Sequence, residues 1–134
     1  MNKSLRIAAV DLNGQLRGKR VAASMAGKEM RMPLSALNVD IFGSDIDGSP
    51  LVFESGDQDG IMIPTDRDLI PLPWVSGDAH LDLRTMQHDD GTPFAGDPRV
   101  ALSSVLEEFE VRGWQVIAAC ELEFFLLEDG GNLA

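Results

Sequence analysis

The run Leu5-Arg6-Ile7-Ala8-Ala9-Val10-Asp11-Leu12 is strand-like, and Asn13-Gly14 after it predicts a two-residue hairpin turn. Gln15 to Ala23 then returns as a second strand, with Leu16, Gly18 and Val21 on its partly buried course. Met25 to Met32 reads as a loop, and Pro33-Leu34-Ser35-Ala36-Leu37 as a short helix with proline in its first turn. Glycine, aspartate and serine dominate from Gly43 to Gly60, a composition that predicts a long surface loop. Short strands follow at Gly60–Ile63, Leu69–Leu72 and His80–Met86; in the last, Leu81 and Leu83 share a face.

Gln87 to Pro93 is a turn by composition. His88, Asp89 and Asp90 are candidate metal ligands there, but adjacent residues rarely converge on one ion, so the turn is the simpler reading. Asp97-Pro98-Arg99 opens a helix, with Asp97 as the cap. Leu102, Val105, Leu106 and Phe109 recur at helical spacing, Glu107, Glu108 and Glu110 fill the other face, and Gly113 fits the residue past the end. Trp114 begins a final strand, Gln115 to Leu127. Val116 to Cys120 is apolar at every position, as in a central strand covered on both faces.

Within that strand, Glu121 and Glu123 share a parity with Ile117, Ala119 and Phe125. Their attachment points would stand about 6.6 Å apart on one face. Burying two anions together is costly without cations or donors to offset it. Spacing of this kind suits two neighbouring Mg²⁺ or Mn²⁺ ions, each taking one carboxylate. It also allows the strand to leave the core at Glu121, with both glutamates in water. The chain ends eleven residues beyond Glu123, so the remainder of any site on that face is expected to lie outside it.

Bulk properties narrow the classes. A length of 134 residues suits one domain, and 44% hydrophobic with 25% charged residues suits a globular protein. One cysteine excludes an internal disulfide and fits a reducing, cytoplasmic setting. The start Met1-Asn2-Lys3-Ser4 leads into a strand pattern without an apolar signal region, and no run approaches a membrane span. A formal charge of −11 argues against nucleic acid or an anionic membrane as partner. The basic run Arg17-Gly18-Lys19-Arg20 reads as a solvated hairpin strand rather than an anion site. Together the elements predict an α+β fold.

Glu121-Leu122-Glu123-Phe124-Phe125-Leu126 resembles the E-x-E-F-F/Y-L strand that opens the catalytic domain of the glutamine synthetase family. Upstream landmarks agree in order. Asp11-Leu12-Asn13-Gly14 with Arg17-Gly18-Lys19-Arg20 resembles the first hairpin of the γ-glutamylpolyamine synthetase branch, and Met32-Pro33 through Val39-Asp40-Ile41-Phe42-Gly43 its helix and loop. Asp57-Gln58-Asp59 before Ile63-Pro64, then Asp90-Gly91-Thr92-Pro93-Phe94, then Asp97-Pro98-Arg99, complete the series.

The resemblance implies a β-grasp domain over residues 1–95 and the start of a catalytic domain over 96–134. It implies ATP-dependent ligation, in which glutamate becomes γ-glutamyl phosphate and an amine or ammonia displaces the phosphate. Glu121 and Glu123 would each bind one Mg²⁺ or Mn²⁺, and homo-oligomers would carry active sites between subunits. Ammonia-using members have an F-D-G-S-S type segment; here Ile41-Phe42-Gly43-Ser44-Asp45 puts Phe42 at the acid position, with Asp45 as a partial substitute. That departure favours an organic amine or polyamine. No catalytic or nucleotide-binding side chain is expected among these residues, so the isolated chain is expected to lack ligase activity. Two other readings compete: a stand-alone β-grasp interaction module, and an unrelated hydrolase using His88, Asp89 and Glu121.

Overall fold

The computed structural model describes residues 4–133; the lead-in Met1–Lys3 and Ala134 lie outside the described residues. β1 (Ser4–Val10) and β2 (Leu16–Ala22) pair antiparallel, with Ser4 opposite Ala22 and Val10 opposite Leu16. Leu5, Ile7 and Ala9 enter the main core cluster, while Ala8 packs with Leu72, Ala79 and Leu81 on the other side. Coverage of both faces explains why β1 is nearly all apolar instead of alternating. β3 (Met30–Pro33), β4 (Asp59–Pro64), β5 (Ile70–Pro71) and β6 (Ala79–Gln87) complete the sheet. Its order is β2-β1-β6-β4-β3, with β5 also paired to β6. β1 and β6 run parallel and the other pairs antiparallel, so the sheet is mixed. The helices are α1 (Pro50–Phe53) and α2 (Pro98–Val111), giving the expected α+β class.

Several expectations change. Met30–Pro33, expected as loop over Met30 to Met32 and as the start of a helix at Pro33, is a strand in register with β4, Met30 opposite Met62. Its buried Met30 and Met32 alternate with Arg31, but four residues are too few for the pattern to stand out. The helix expected at Pro33–Leu37 is a single 3-10 turn, Leu34–Leu37. The final strand expected over Gln115–Leu127 does not form: among the described residues the segment makes only an isolated bridge, Leu127 with Leu133. A strand apolar on both faces needs neighbours on either side, and none of the six strands borders it.

The hairpin turn also differs. Asp11 N–H donates to Gln15 O at 2.8 Å and Gly14 N–H to Asp11 O at 3.0 Å, so three residues form the loop rather than two. Gly14 takes the left-handed position, φ 77°, that this loop requires. Asp11 is fully buried, and its carboxylate accepts from Asn13 N–H and Gln15 N–H at 2.8 Å and from Arg17 Nε at 2.7 Å. Burial alone would raise its pKa; the hydrogen bonds from Gln15, Arg17 and Asn13, with the Arg17 charge, outweigh burial and hold it below the ordinary 3.8. Gly18, opposite Ala8, answers a different demand: a Cβ there would lie 1.9 Å from the Ile7 carbonyl oxygen.

Arg84 is a buried cation at the centre of the sheet, 1% exposed. Its Nη2 meets Asp82 Oδ2 at 2.7 Å, and its Nη1 donates to Lys28 O at 3.1 Å and Met62 O at 3.0 Å. The guanidinium thus ties the approach to β3, strand β4 and strand β6 into one unit. Asp97 performs a related task on a carboxylate scale: Oδ1 accepts from Arg99 N–H, capping α2, and Oδ2 from Met86 N–H, both at 2.8 Å.

Two predictions follow from these buried charges. Arg84→Met should lower stability by about 3 kcal/mol in equilibrium urea unfolding, because Asp82 and two carbonyls lose their partner. Adding Asp82→Asn should recover part of that loss. For Asp11, a depressed folded-state pKa contributes stability that is present above 3.8 and disappears as pH falls through the folded-state value. Asp11→Asn should therefore show a lower urea midpoint than wild type at pH 7, with the two curves converging below pH 3.8. Parallel curves down to low pH would show that Asp11 contributes nothing to acid sensitivity.

Candidate functional site

Two segments carry the candidate residues, and the first is locally over-determined. Asp40 repeats the device of Asp11: its N–H donates to Ser44 O at 2.9 Å, and Gly43 N–H donates to its carbonyl at 3.0 Å. Its Oδ1 accepts from Phe42 N–H and Ser44 N–H at 2.8 and 2.9 Å. The hairpin holds this loop from one side. Asn13 Nδ2 donates to Val39 O at 3.0 Å and Asp40 O at 3.1 Å, and Leu12 N–H to Leu37 O at 3.1 Å. The Arg17 guanidinium lies against Gly43, where a Cβ would stand 3.3 Å from two of its nitrogens. The result is a fixed loop whose tip exposes Ile41 and Phe42, the latter 86% accessible. Asp45, exposed, lies on the return limb and bridges Val39.

The second segment leaves α2. Gly113, φ 72°, ends the helix: its N–H donates to Glu110 O at 2.8 Å and Trp114 N–H to Phe109 O at 3.0 Å. The Trp114 and Phe109 rings pack with centroids 5.9 Å apart, which completes the helix-ending motif. Beyond this stop Glu121 and Glu123 are both exposed, and Leu122, Glu123, Phe124 and Phe125 line an open groove of about 630 Å³. The helix stripe Leu102, Val105, Leu106 and Phe109 is also exposed rather than buried.

As a donor set, two neighbouring carboxylates suit a hard divalent cation. Among the described residues no third histidine, cysteine or acid joins them. The pair therefore fits part of such a site and not a complete one.

The turn residues are engaged elsewhere. The His88 and Phe94 rings meet nearly perpendicular with centroids 5.6 Å apart, and Asp89 pairs with Arg31. Asp90 accepts from Thr92 Oγ1 at 2.7 Å and from Thr92 N–H at 2.9 Å, which together hold its carboxyl below the usual range. These contacts account for the segment as a turn. In the basic run, Arg17 is committed to Asp11, and Lys19 Nζ donates to Arg31 O at 2.7 Å. Sequence reading passed over Asp11, Asn13 and Arg17 as a unit. The available signal was an aspartate two residues before Asn13, the spacing at which a carboxylate caps its own turn.

No family model matches the chain. Individual proteins do. It is 33% identical to the γ-glutamylputrescine synthetase PuuA of Escherichia coli over 91% of its own length, and 33% identical to a glutamate–isopropylamine ligase of a Pseudomonas species over 94%. A glutamine synthetase of Methanosarcina mazei is 35% identical over 67% of the chain. The chain spans 26%, 28% and 20% of the lengths of these relatives. Among solved structures, a GmaS complex with ADP superposes with a TM-score of 0.59 at 31% identity, covering 81% of this chain and 23% of that one. No helix among the described residues is long and apolar enough to cross a membrane. By the relatives that it matches along most of its length, the chain belongs to the glutamine synthetase family.

Proposed function

We propose that residues 1–95 form a β-grasp domain and residues 96–134 open the catalytic domain of an ATP-dependent glutamate–amine ligase. Support for the first part comes from the mixed sheet with parallel β1 and β6 at its centre. Support for the second comes from the relatives, whose names are those of γ-glutamylputrescine synthetase, glutamate–isopropylamine ligase and glutamine synthetase. The observation that carries the reading is the Glu121-Leu122-Glu123 pair, two solvent-facing carboxylates beyond a firmly capped helix end.

In this reading, the side-chain carboxylate of glutamate attacks the terminal phosphorus of ATP, releasing ADP and forming γ-glutamyl phosphate. The amine nitrogen then attacks the acyl carbon, inorganic phosphate departs, and the nitrogen loses a proton. Glu121 and Glu123 would each hold one Mg²⁺ or Mn²⁺, and such ions neutralise phosphate charge. The other ligands would come from the rest of a longer polypeptide. Phe42, rigidly presented by the Asp40 loop, would favour an organic amine by offering apolar contact. A small, strongly hydrated ammonium ion gains little from such a surface. Asp45 would supply a nearby negative charge for the amine as its cation. Active sites in this reading lie between subunits of a homo-oligomer.

Expression of the whole reading frame that encodes this chain tests the proposal. Phosphate release should require ATP, glutamate and an amine together. Glu121→Gln/Glu123→Gln should lower kcat by at least about 10²-fold, since several kcal/mol of charge stabilisation is removed. Turnover retained by the double variant would overturn the assignment. Phe42→Asp should move the kcat/KM preference from alkylamine toward ammonia by about tenfold, a change worth about 1.4 kcal/mol. An unchanged preference would exclude Phe42 from amine selection.

A further inference from the structure

A cavity of about 320 Å³ lies between the β4–β5 connection and α2, remote in sequence from both segments treated above. Thr65, Asp66 and Arg67 line it from one side, Arg99 and Ser103 from the other, with Thr85 of β6 between. Arg99 Nε is shut off from solvent and donates to no acceptor. An orphaned buried donor costs about 1–3 kcal/mol, and more when charged. Arg67 is exposed and makes no ion pair among the described residues. Two cations and one acid thus converge in a chain whose formal charge is −11.

The N-terminus of α2 does not create this site. Pro98 carries no N–H and Asp97 Oδ1 already accepts from Arg99 N–H at 2.8 Å, so the attraction rests on side chains. Thr65 is fixed by its Oγ1 donating to Leu83 O at 3.0 Å, which leaves the hydroxyls of Thr85 and Ser103 as further donors. Guanidinium forks match the paired oxygens of carboxylate and phosphate, and hydroxyls complete the coordination. The volume stands at the lower limit for small-molecule pockets, too small to favour a nucleotide.

We propose that this cavity binds a small, doubly charged oxyanion, gripped by Arg67 and Arg99 and seated on Thr85 and Ser103. The site is independent of the ligase reading and of the Glu121–Glu123 pair. Inorganic phosphate and succinate, titrated separately into the chain, distinguish the two sources of such charge. Calorimetry should show saturable one-site binding of at least one of them, with amide shifts confined to Thr65–Arg67, Thr85 and Arg99–Ser103. Arg67→Ala and Arg99→Gln should each weaken binding at least about tenfold, while Arg20→Ala, exposed on β2 and outside the cavity, should leave it unchanged. Among the described residues the Arg67 side chain makes no hydrogen bond or ion pair, so its variant decides the matter if Arg99→Gln unfolds. Failure of both anions to saturate those amides, or undiminished affinity in Arg67→Ala, overturns the proposal.

Discussion

The parallel pairing of β1 with β6 is the constraint from which the sheet is assembled. Ser4 to Ala8 lie against Ala79 to Leu83, and a parallel pair cannot be closed by a tight turn. The chain between them carries β2, β3, α1, β4 and β5, all of which must be accommodated around that pair. β6 has the length for this role: β1 takes one edge, while β5 and β4 take successive stretches of the other. Closing such a long-range contact costs chain entropy before the buried apolar area can offset it. Ile7 and Met86, both essentially inaccessible, belong to the core cluster that provides the compensation.

Much of this was legible in the sequence because the information was local. The Asp97-Pro98 helix start and the Gly113 stop each depend on residues a few positions apart. β3 was not legible, since Met30-Arg31-Met32 becomes a strand only when Met62 of β4 lies opposite Met30. The hairpin was recognised but its loop length was not. Asn13-Gly14 signals a tight turn, whereas Asp11, with its carboxylate taking two backbone N–H groups, selects the three-residue form.

The candidate residues divide along the same line. Glu121 and Glu123 were legible as chemistry because their spacing and residue type are local. The strand expected to bear them was not realised, since an all-apolar segment acquires strand geometry from neighbours that the six strands do not provide. Arg84 illustrates the reverse case. An arginine within His80-Leu81-Asp82-Leu83-Arg84 looks like a solvated residue on an alternating strand, yet it is among the least accessible side chains present. Only the three-dimensional convergence of Asp82, Lys28 O and Met62 O makes that burial tolerable.

Asn13 gives the hairpin a chemical lifetime. Its side-chain amide precedes Gly14, whose lack of a Cβ leaves the following peptide nitrogen open to attack on that amide, and its Nδ2 faces two carbonyl oxygens, of Val39 and Asp40. Hydrolysis to aspartate would replace a donor with a negatively charged acceptor directed at those same oxygens. Attraction would become repulsion, and the Ile41–Phe42 tip would keep only the Leu12 N–H bond to Leu37 O and the Arg17 contact at Gly43 as ties to the hairpin. Ageing of one amide would thus loosen a loop without breaking the chain.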